Sequence, residues 1–278
     1  AGVGSRAKAG NASAQNASVV GSTQVVSQII DTAIGLIKPS QVQVATSDRH
    51  LRFQFLKHKA RIFVDSYVMK WEATLLAHCE SADKWTAHPL VGKLKQWAKS
   101  TGLWNCFLSH DLVQRARLKL EEGGLRLGEA AWAELLGPGL SNREYIAIAE
   151  IMGKSPFASE IFNCNAPDTG NMETLIRYGS PEQAMRWLLP LLRGEIRSCF
   201  AMTEPAVASS DATNVSSPIS RAGDRVTVSG RKWWITGAMH PACEICLFLG
   251  RESAGGEGKR HGVHTIVLIP MKTAGVTV

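Results

Sequence analysis

Hydrophobic positions divide the chain into two parts with different periods. From about residue 24 to residue 194, apolar side chains recur every three or four residues, as on one face of a helix. From about residue 196 to residue 278 they form short alternating runs rich in β-branched residues, the pattern of half-buried strands. The change predicts an α+β protein, with an all-helical domain at 24–195 followed by a β-sheet or barrel-like domain at 196–278.

One helix start is marked by Ser141 and Glu144, which stand three residues apart before an apolar run. This spacing is a capping box, in which each side chain satisfies a backbone donor of the first turn. The helix is expected to end at Gly153 in a left-handed conformation.

A second capping box is formed by Ser180 and Gln183, with Pro181 at the first helical position. Pro190 is expected to kink or shorten that helix, and Gly194 to end it. Further helices are predicted over 48–79, 89–101, 111–122, 129–136 and around 172–176.

In the second part, strands are predicted over 198–203, 215–221, 225–229, 244–250 and 263–269. Gly223 and Asp224 form a reversal that joins the second and third of these strands into a hairpin. The loop 251–262 is rich in Gly and charge and is predicted to be a solvated connection.

Residues 1–23 are rich in Ala, Ser, Gly and Asn, and no Asp or Glu occurs before Asp31. Such a segment is typical of a flexible lead-in or of the remnant of an organelle-targeting peptide.

The formal charge of +7 suits an anionic partner, but the basic residues are scattered along helical segments. Ordinary solvated faces explain them better than a nucleic-acid surface does, so no nucleic-acid partner is predicted. No apolar run approaches the roughly 20 residues that a membrane-spanning helix needs, so no span is predicted.

Six cysteines are spread through apolar surroundings, which favours a reducing compartment. Cys243 and Cys246 form a C-x-x-C in a predicted strand. A spacing of three sends the two side chains to opposite faces of a regular strand, so neither a metal site nor a redox pair is expected there.

Three polar or aromatic stretches are unusual for purely structural strands: Thr203–Pro205, Ser209–Asp211 and Lys232–Thr236. Together with Cys199–Met202 and Gly237, and in this order, they resemble the middle β domain of acyl-CoA dehydrogenases. Segments 102–108, 150–155 and 163–172 resemble the N-terminal helical domain of the branch whose larger members carry a fused phosphotransferase-like domain.

The resemblance covers residues 48–278 and implies the acyl-CoA dehydrogenase fold, the sequence stopping before the C-terminal four-helix domain of the family. Compared with the family pattern, the segment at about 109–138 resembles an insertion. A solvated helical hairpin is the favoured interpretation, and an interaction element is the alternative.

For the cofactor, the resemblance implies FAD. Phe200, Met202 and Thr203 match the strand along the flavin edge, where Met202 and Thr203 would offer donors near N1 and the C2 carbonyl. Ser210 matches the serine that holds the pyrophosphate or the acyl-CoA substrate.

Trp234 matches the aromatic residue packed on the flavin ring, and Thr236 the hydroxyl that reaches N5. Alternation along a strand places Trp234 and Thr236 on one face, two residues apart. Trp233 then points to the other face, where core filling is the expected role.

The function implied is FAD-dependent oxidation of a fatty acyl-CoA to the trans-2-enoyl-CoA, in fatty acid β-oxidation. No residue is assigned as the catalytic base, because in the family that glutamate belongs to the C-terminal domain; Glu204 is expected to be structural. The alternative is a non-catalytic subunit or assembly partner of the same fold.

The partners implied are an acyl-CoA substrate, an electron-transfer acceptor protein and, when the C-terminal domain is supplied, further copies in a homo-oligomer. The compartment expected from the family is the mitochondrial matrix, with the peroxisome as the alternative.

Overall fold

A computed structural model describes residues 49–253 and 260–278. The predictions for 1–23 and for the start of the helical domain at 24–48 lie outside the described residues, as does the middle half, 254–259, of the loop predicted over 251–262. The described helices are α1 (Arg49–Phe63), α2 (Met69–Glu80), α3 (Pro89–Ser100), α4 (His110–Glu122), α5 (Glu129–Leu136), α6 (Asn142–Met152), α7 (Ala158–Ile161), α8 (Asp168–Tyr178), α9 (Pro181–Gln183) and α10 (Leu189–Arg193). Two π-helical turns, Val64–Val68 and Ala184–Leu188, join α1 to α2 and α9 to α10.

The capping box at the start of α6 is confirmed. The Ser141 hydroxyl accepts a bond from the Glu144 backbone N–H at 3.3 Å, and the Glu144 carboxylate accepts one from the Ser141 N–H at 2.7 Å. The left-handed stop is wrong, because Gly153 has a φ of −62°. The chain instead continues as a right-handed turn, in which the Lys154 N–H donates to the Ile151 carbonyl.

The second capping box is also confirmed, with Ser180 and Gln183 bonded reciprocally. Pro190 does not shorten the helix, which continues to Arg193 and ends at Gly194 with a φ of +66°. The turn before the proline is widened, since the Leu189 N–H donates to the Ala184 carbonyl, five residues back. The widened turn accommodates a residue that has no N–H of its own.

The α4–α5 hairpin, predicted to be solvated, is built into the core along one side. Leu112, Ala116 and Leu120 of α4 and Trp132 of α5 are buried. They belong to a cluster that includes residues of α8, α10 and the sheet. The two helices follow their predicted bounds closely, but their inward faces form part of the domain interior.

The sheet has five strands: β1 (Arg197–Ala201), β2 (Pro218–Ala222), β3 (Arg225–Val228), β4 (Cys243–Glu252) and β5 (His264–Pro270). The long strand β4 is central, with β1 and β2 parallel to it along one edge and β5 antiparallel along the other. The predicted β2–β3 hairpin is confirmed, and Gly223 at its turn has a φ of +62°.

Two faces of this sheet are covered differently. One face, with Ile245 and Leu247, packs on the helices. The other face carries Cys199 and Phe248, and the segment after Val228 folds across it. A further core fills the interior of the helical domain around Trp104 and Phe162. This order of helical domain and mixed sheet is the predicted fold class.

Among the described residues, no helix has both the length and the apolar character that crossing a bilayer requires.

Candidate functional site

The end of β1 and the segment around Trp233 are joined by two hydrogen bonds. Strand β1 ends at Ala201, so Met202 and Thr203 lie just beyond it. The Thr203 hydroxyl donates to the Trp233 carbonyl at 2.6 Å, and the Trp233 N–H donates to the Thr203 carbonyl at 3.1 Å. The structure therefore brings the first and third sequence motifs together.

The segment 229–237 is not a strand, which corrects the predicted facing of its side chains. Trp234 has a φ of +54°, a left-handed conformation that interrupts any regular alternation. Its indole is 84% exposed, and Trp233, predicted to fill the core, is 48% exposed. The two rings are tilted against each other with centroids 5.9 Å apart. Both tryptophans therefore present an aromatic surface outside the core.

Beneath this surface lies a buried ion pair. The Lys232 ammonium is 2.8 Å from the Glu204 carboxylate, and the two side chains are 6% and 4% exposed. The ammonium also donates to the Met202 carbonyl at 2.8 Å and to the Leu249 carbonyl at 2.7 Å. Lys232 thus fastens the end of β1, the Trp233–Trp234 segment and the central strand to one another.

Glu204 is fully engaged in hydrogen bonds. Its carboxylate also accepts bonds from the backbone N–H groups of Ser216 and Ser217. Burial acts to raise the pKa of Glu204, but the bonds from Lys232 and the two serines outweigh it and lower the pKa to about 2. A buried carboxylate with so low a pKa is a poor proton acceptor, so the structure agrees with the structural role predicted for Glu204.

Ser210 is exposed in the turn that follows Glu204. The neighbouring Ser209 is buried, and its hydroxyl accepts a bond from the Glu204 N–H at 2.9 Å. Asp211 ends the turn and pairs with Arg260 at 2.9 Å. The turn is fixed from both sides, and Ser210 stays accessible between the two anchors.

The other predicted contacts are placed as follows. Thr236 is exposed, two residues beyond Trp234. Phe200 is partly buried, and its side chain packs against the helix-facing core. The structure thus joins Met202, Thr203 and Trp234 in one neighbourhood, while the flavin contacts assigned to all of these residues remain predictions.

A second charged network, which sequence reasoning missed, joins the helical domain to the first strand. Arg197 at the start of β1 is bonded to Asp168 at the start of α8, and it lies 2.8 Å from the Glu160 carboxylate. Lys95 of α3 donates to the same Glu160 carboxylate at 2.9 Å. Four separate elements meet there, and no local pattern in the sequence signals the meeting.

The same network reaches the Trp234 segment. Asp168 also accepts bonds from the Ser198 backbone N–H at 2.8 Å and from the Ser198 hydroxyl at 2.6 Å. His240 is near Arg197 and Glu160; burial lowers its pKa, and the charge of Arg197 acts in the same direction. The start of α8, the start of β1 and the segment after Trp234, whose Ala242 carbonyl accepts a bond from the Arg197 N–H, therefore meet in one junction.

What this surface can bind follows from its side chains. An indole exposed on a backbone in a costly conformation, beside a strand end, offers a flat apolar face together with hydroxyl groups. These features fit a planar, partly polar aromatic ring such as an isoalloxazine. In the described part of the chain, no group of His, Cys, Asp or Glu is arranged to hold a metal ion.

Comparison with known proteins bears on this geometry. Residues 199–278 match the family model described as "Acyl-CoA dehydrogenase, middle domain". The protein named "Probable acyl-CoA dehydrogenase IBR3" of Arabidopsis thaliana is 44% identical over 225 residues, which are 80% of this chain and 27% of that protein.

Solved structures agree on the fold. An acyl-CoA dehydrogenase-like protein of Mycobacterium abscessus is 44% identical with a TM-score of 0.69, over 82% of this chain and 52% of that chain. A glutaryl-CoA dehydrogenase of Mycobacterium smegmatis, solved with FADH2, is 20% identical with a TM-score of 0.54, over 82% of this chain and 47% of that chain. This chain thus spans about a quarter of IBR3 and about half of each solved chain.

The motifs, the helical domain followed by a mixed sheet, and the identity to these relatives agree with one another. This chain belongs to the acyl-CoA dehydrogenase family.

Proposed function

We propose that this chain supplies the flavin-facing part of an FAD-dependent enzyme that oxidises a fatty acyl-CoA to the trans-2-enoyl-CoA. The observation that carries the proposal is the exposed Trp234 indole, held in a left-handed conformation beside the end of β1. A large exposed aromatic side chain on a costly backbone is expected where a ligand covers it.

The residues of this chain divide the work of binding. Met202 and Thr203 would form the edge against which the ring system lies, Phe200 would support this edge from the helix-facing core, and Trp234 would cover the plane of the ring. Thr236 would reach the ring nitrogen N5, and Ser210 the pyrophosphate or the acyl-CoA. When bound, FAD supplies the hydride acceptor for the reaction.

Below this surface, the Lys232 ammonium holds the edge in place, with its charge neutralised by Glu204. Hydroxyl and backbone donors along the edge would favour the negative charge of a reduced flavin. The α-proton needs a base opposite the ring. Glu204 cannot take that role, because it is buried and paired with Lys232.

Flavin binding by the purified chain tests the proposal directly. Titration with FAD, followed by calorimetry and by the visible flavin spectrum, is expected to show saturable binding. Trp234→Ala is expected to weaken this binding by about three- to tenfold, since an aromatic stacking contact is worth ~0.5–1.5 kcal/mol beyond area burial.

Trp85→Ala is the matched control, because Trp85 is also an exposed indole but lies beyond α2, in the helical domain. It is expected to leave FAD affinity unchanged. Absence of FAD binding by a folded chain, or equal losses in both variants, contradicts the assignment of Trp234.

The alternative, a non-catalytic member of the same fold, is favoured by the engagement of Glu204, since no other carboxylate is assigned as a base. Acyl-CoA turnover by this chain alone with an artificial electron acceptor would exclude it. The further proposals are an electron-transfer acceptor protein as partner, assembly into homo-oligomers, and the mitochondrial matrix as compartment, with the peroxisome as alternative. Fractionation of cells tests the compartment.

A further inference from the structure

Three cysteines meet on the face of the sheet that the Trp234 segment covers. Cys199 lies on β1, and Cys243 and Cys246 lie on β4; all three are buried in one cluster. The neighbouring thiols of Cys243 and Cys246 raise the pKa of the Cys199 thiol. Its sulfur also lies 4.0 Å from the thioether of Met271.

The gathering of these thiols depends on a β-bulge. Arg197 is paired with Cys243 and Ser198 with Ile245, so Glu244 has no partner on β1. One extra residue shifts the alternation of β4 by one position. Cys243 and Cys246, which three-residue spacing sends to opposite faces, therefore lie on the same face. The prediction that the two side chains lie on opposite faces of the strand is therefore wrong.

Cys199 and Cys246 are the pair with the geometry of a disulfide. They are direct partners in the parallel register. Neighbouring strands are about 4.8 Å apart, which lies within the range of about 4.4–6.8 Å that disulfides span between Cα atoms. Both side chains point to the same face, so a bond between them requires no change in the pairing of the strands.

We propose that Cys199 and Cys246 form a peroxide-reactive dithiol site that closes to a reversible disulfide, with Cys243 as its neighbouring thiol. The inference stands on strand register and burial and does not depend on flavin binding.

The reaction balances with hydrogen peroxide as the oxidant. The Cys246 thiolate attacks one peroxide oxygen; an S–O bond forms, the O–O bond breaks and hydroxide leaves. The Cys199 sulfur then attacks Cys246: the S–S bond forms, the S–O bond breaks, and the hydroxyl leaves with the Cys199 proton as water. The hydroxide released in the first step takes up the proton that Cys246 had lost and becomes the second water. Two thiols are oxidised while one peroxide is reduced to two waters.

The electrostatics and the strand register together assign these roles. The contact with Cys199 lowers the pKa of both Cys243 and Cys246, while these two neighbours, together with burial, raise the pKa of Cys199. The thiolate is the reactive form, so the attacking sulfur belongs to β4, and the direct pairing with Cys199 selects Cys246. Because the sulfurs must approach each other within an existing ladder, the disulfide is expected to be readily reduced.

A second pair of thiols in the same chain provides a matched control. Cys106 and Cys164 lie near each other in the helical core, and burial raises the pKa of both, that of Cys164 to about 12. If proximity alone were sufficient, peroxide would oxidise both pairs equally. If the reactivity belongs to the site on the sheet, peroxide oxidises only Cys199 and Cys246.

The experiment is a peptide map of the whole chain, in a Cys79→Ser background that removes the exposed cysteine. The folded protein is treated with graded hydrogen peroxide, unfolded, and alkylated with iodoacetamide. Trypsin places Cys199 in 198–221 and both other cysteines in 233–251, and cleavage after Glu244 separates Cys243 from Cys246.

The expected result is a linked peptide that joins Cys199 to Cys246, disappears on treatment with dithiothreitol and is absent from Cys246→Ser. Cys106 and Cys164 are expected to be fully alkylated throughout. The proposal is overturned if no link forms at a peroxide dose that fully oxidises Cys79 in the parent chain, if the link uses Cys243, or if Cys106 and Cys164 join equally. The map of the chain that retains Cys246 decides these outcomes even if Cys246→Ser fails to fold.

Discussion

Two layers of the same sheet edge differ in how their polar and aromatic groups are satisfied. In the lower layer, Glu204 and Lys232 are buried and fully hydrogen-bonded. In the upper layer, Trp234 and Thr236 are exposed. Although the same motifs contain both layers, one holds the backbone in place and the other is left exposed. A motif residue therefore has a binding role only where the fold leaves it accessible.

The junction between α8 and β1 extends the lower layer, and removing a charge there should have the largest effect. Arg197→Met is expected to destabilise the fold by about 3–5 kcal/mol, because it leaves the buried Asp168 carboxylate without its cation. Urea unfolding measures this cost. Arg260→Met, which breaks the exposed pair with Asp211, is the control and is expected to change stability little. Equal effects would mean that burial does not distinguish the two pairs.

Glu204 provides a test by pH. Its folded pKa of about 2 lies below the ordinary value of 4.5, so its ionised form stabilises the fold above pH 4.5, and this contribution is lost as pH falls toward 2. In Glu204→Gln, stability at neutral pH is expected to fall by on the order of 2–3 kcal/mol and to depend less on pH over this range. Unfolding measured at several pH values from 6 to about 2.5 compares the two proteins. If the unfolding free energies of the two proteins depend on pH in the same way, Glu204 does not have the low folded pKa assigned to it.

The contact between the two layers is tested at Thr203. Thr203→Val removes the hydroxyl that donates to the Trp233 carbonyl while keeping the shape of the side chain. A single hydrogen bond is worth ~1 kcal/mol, so a loss of about that size is expected. FAD affinity is expected to fall as well, because the Trp234 segment loses one of its two bonds to the strand end. If stability falls as expected while FAD affinity stays unchanged, the bond between Thr203 and Trp233 does not contribute to FAD binding.

The upper layer should give the smallest change in stability, with the opposite sign. Trp234→Gly is expected to stabilise the fold by up to ~1 kcal/mol, because glycine adopts a φ of +54° without the cost that a larger residue bears. FAD binding is expected to weaken at the same time. Thermal unfolding and FAD titration of one sample measure both. A loss of stability would show that the exposed indole contributes to packing.

The amino-acid sequence by itself determined the order of the domains and most helix ends. Caps at Ser141 and Ser180 and the stop at Gly194 rest on hydrogen bonds within a few residues of the chain. The turn at Gly223 is equally local. The ordered motifs also identified the family, because they need no knowledge of distance in space.

The tertiary structure decided where the side chains of the site point. The bulge at Glu244 is defined only against β1. The left-handed Trp234 follows Trp233, which makes two bonds to Thr203, thirty residues away from Trp233 in the sequence. The junction of Arg197 with Asp168 likewise joins distant segments. The periodicity of a sequence predicts only regular helices and strands. It detects none of these contacts, because the energy of each one depends on a partner that is remote in the sequence.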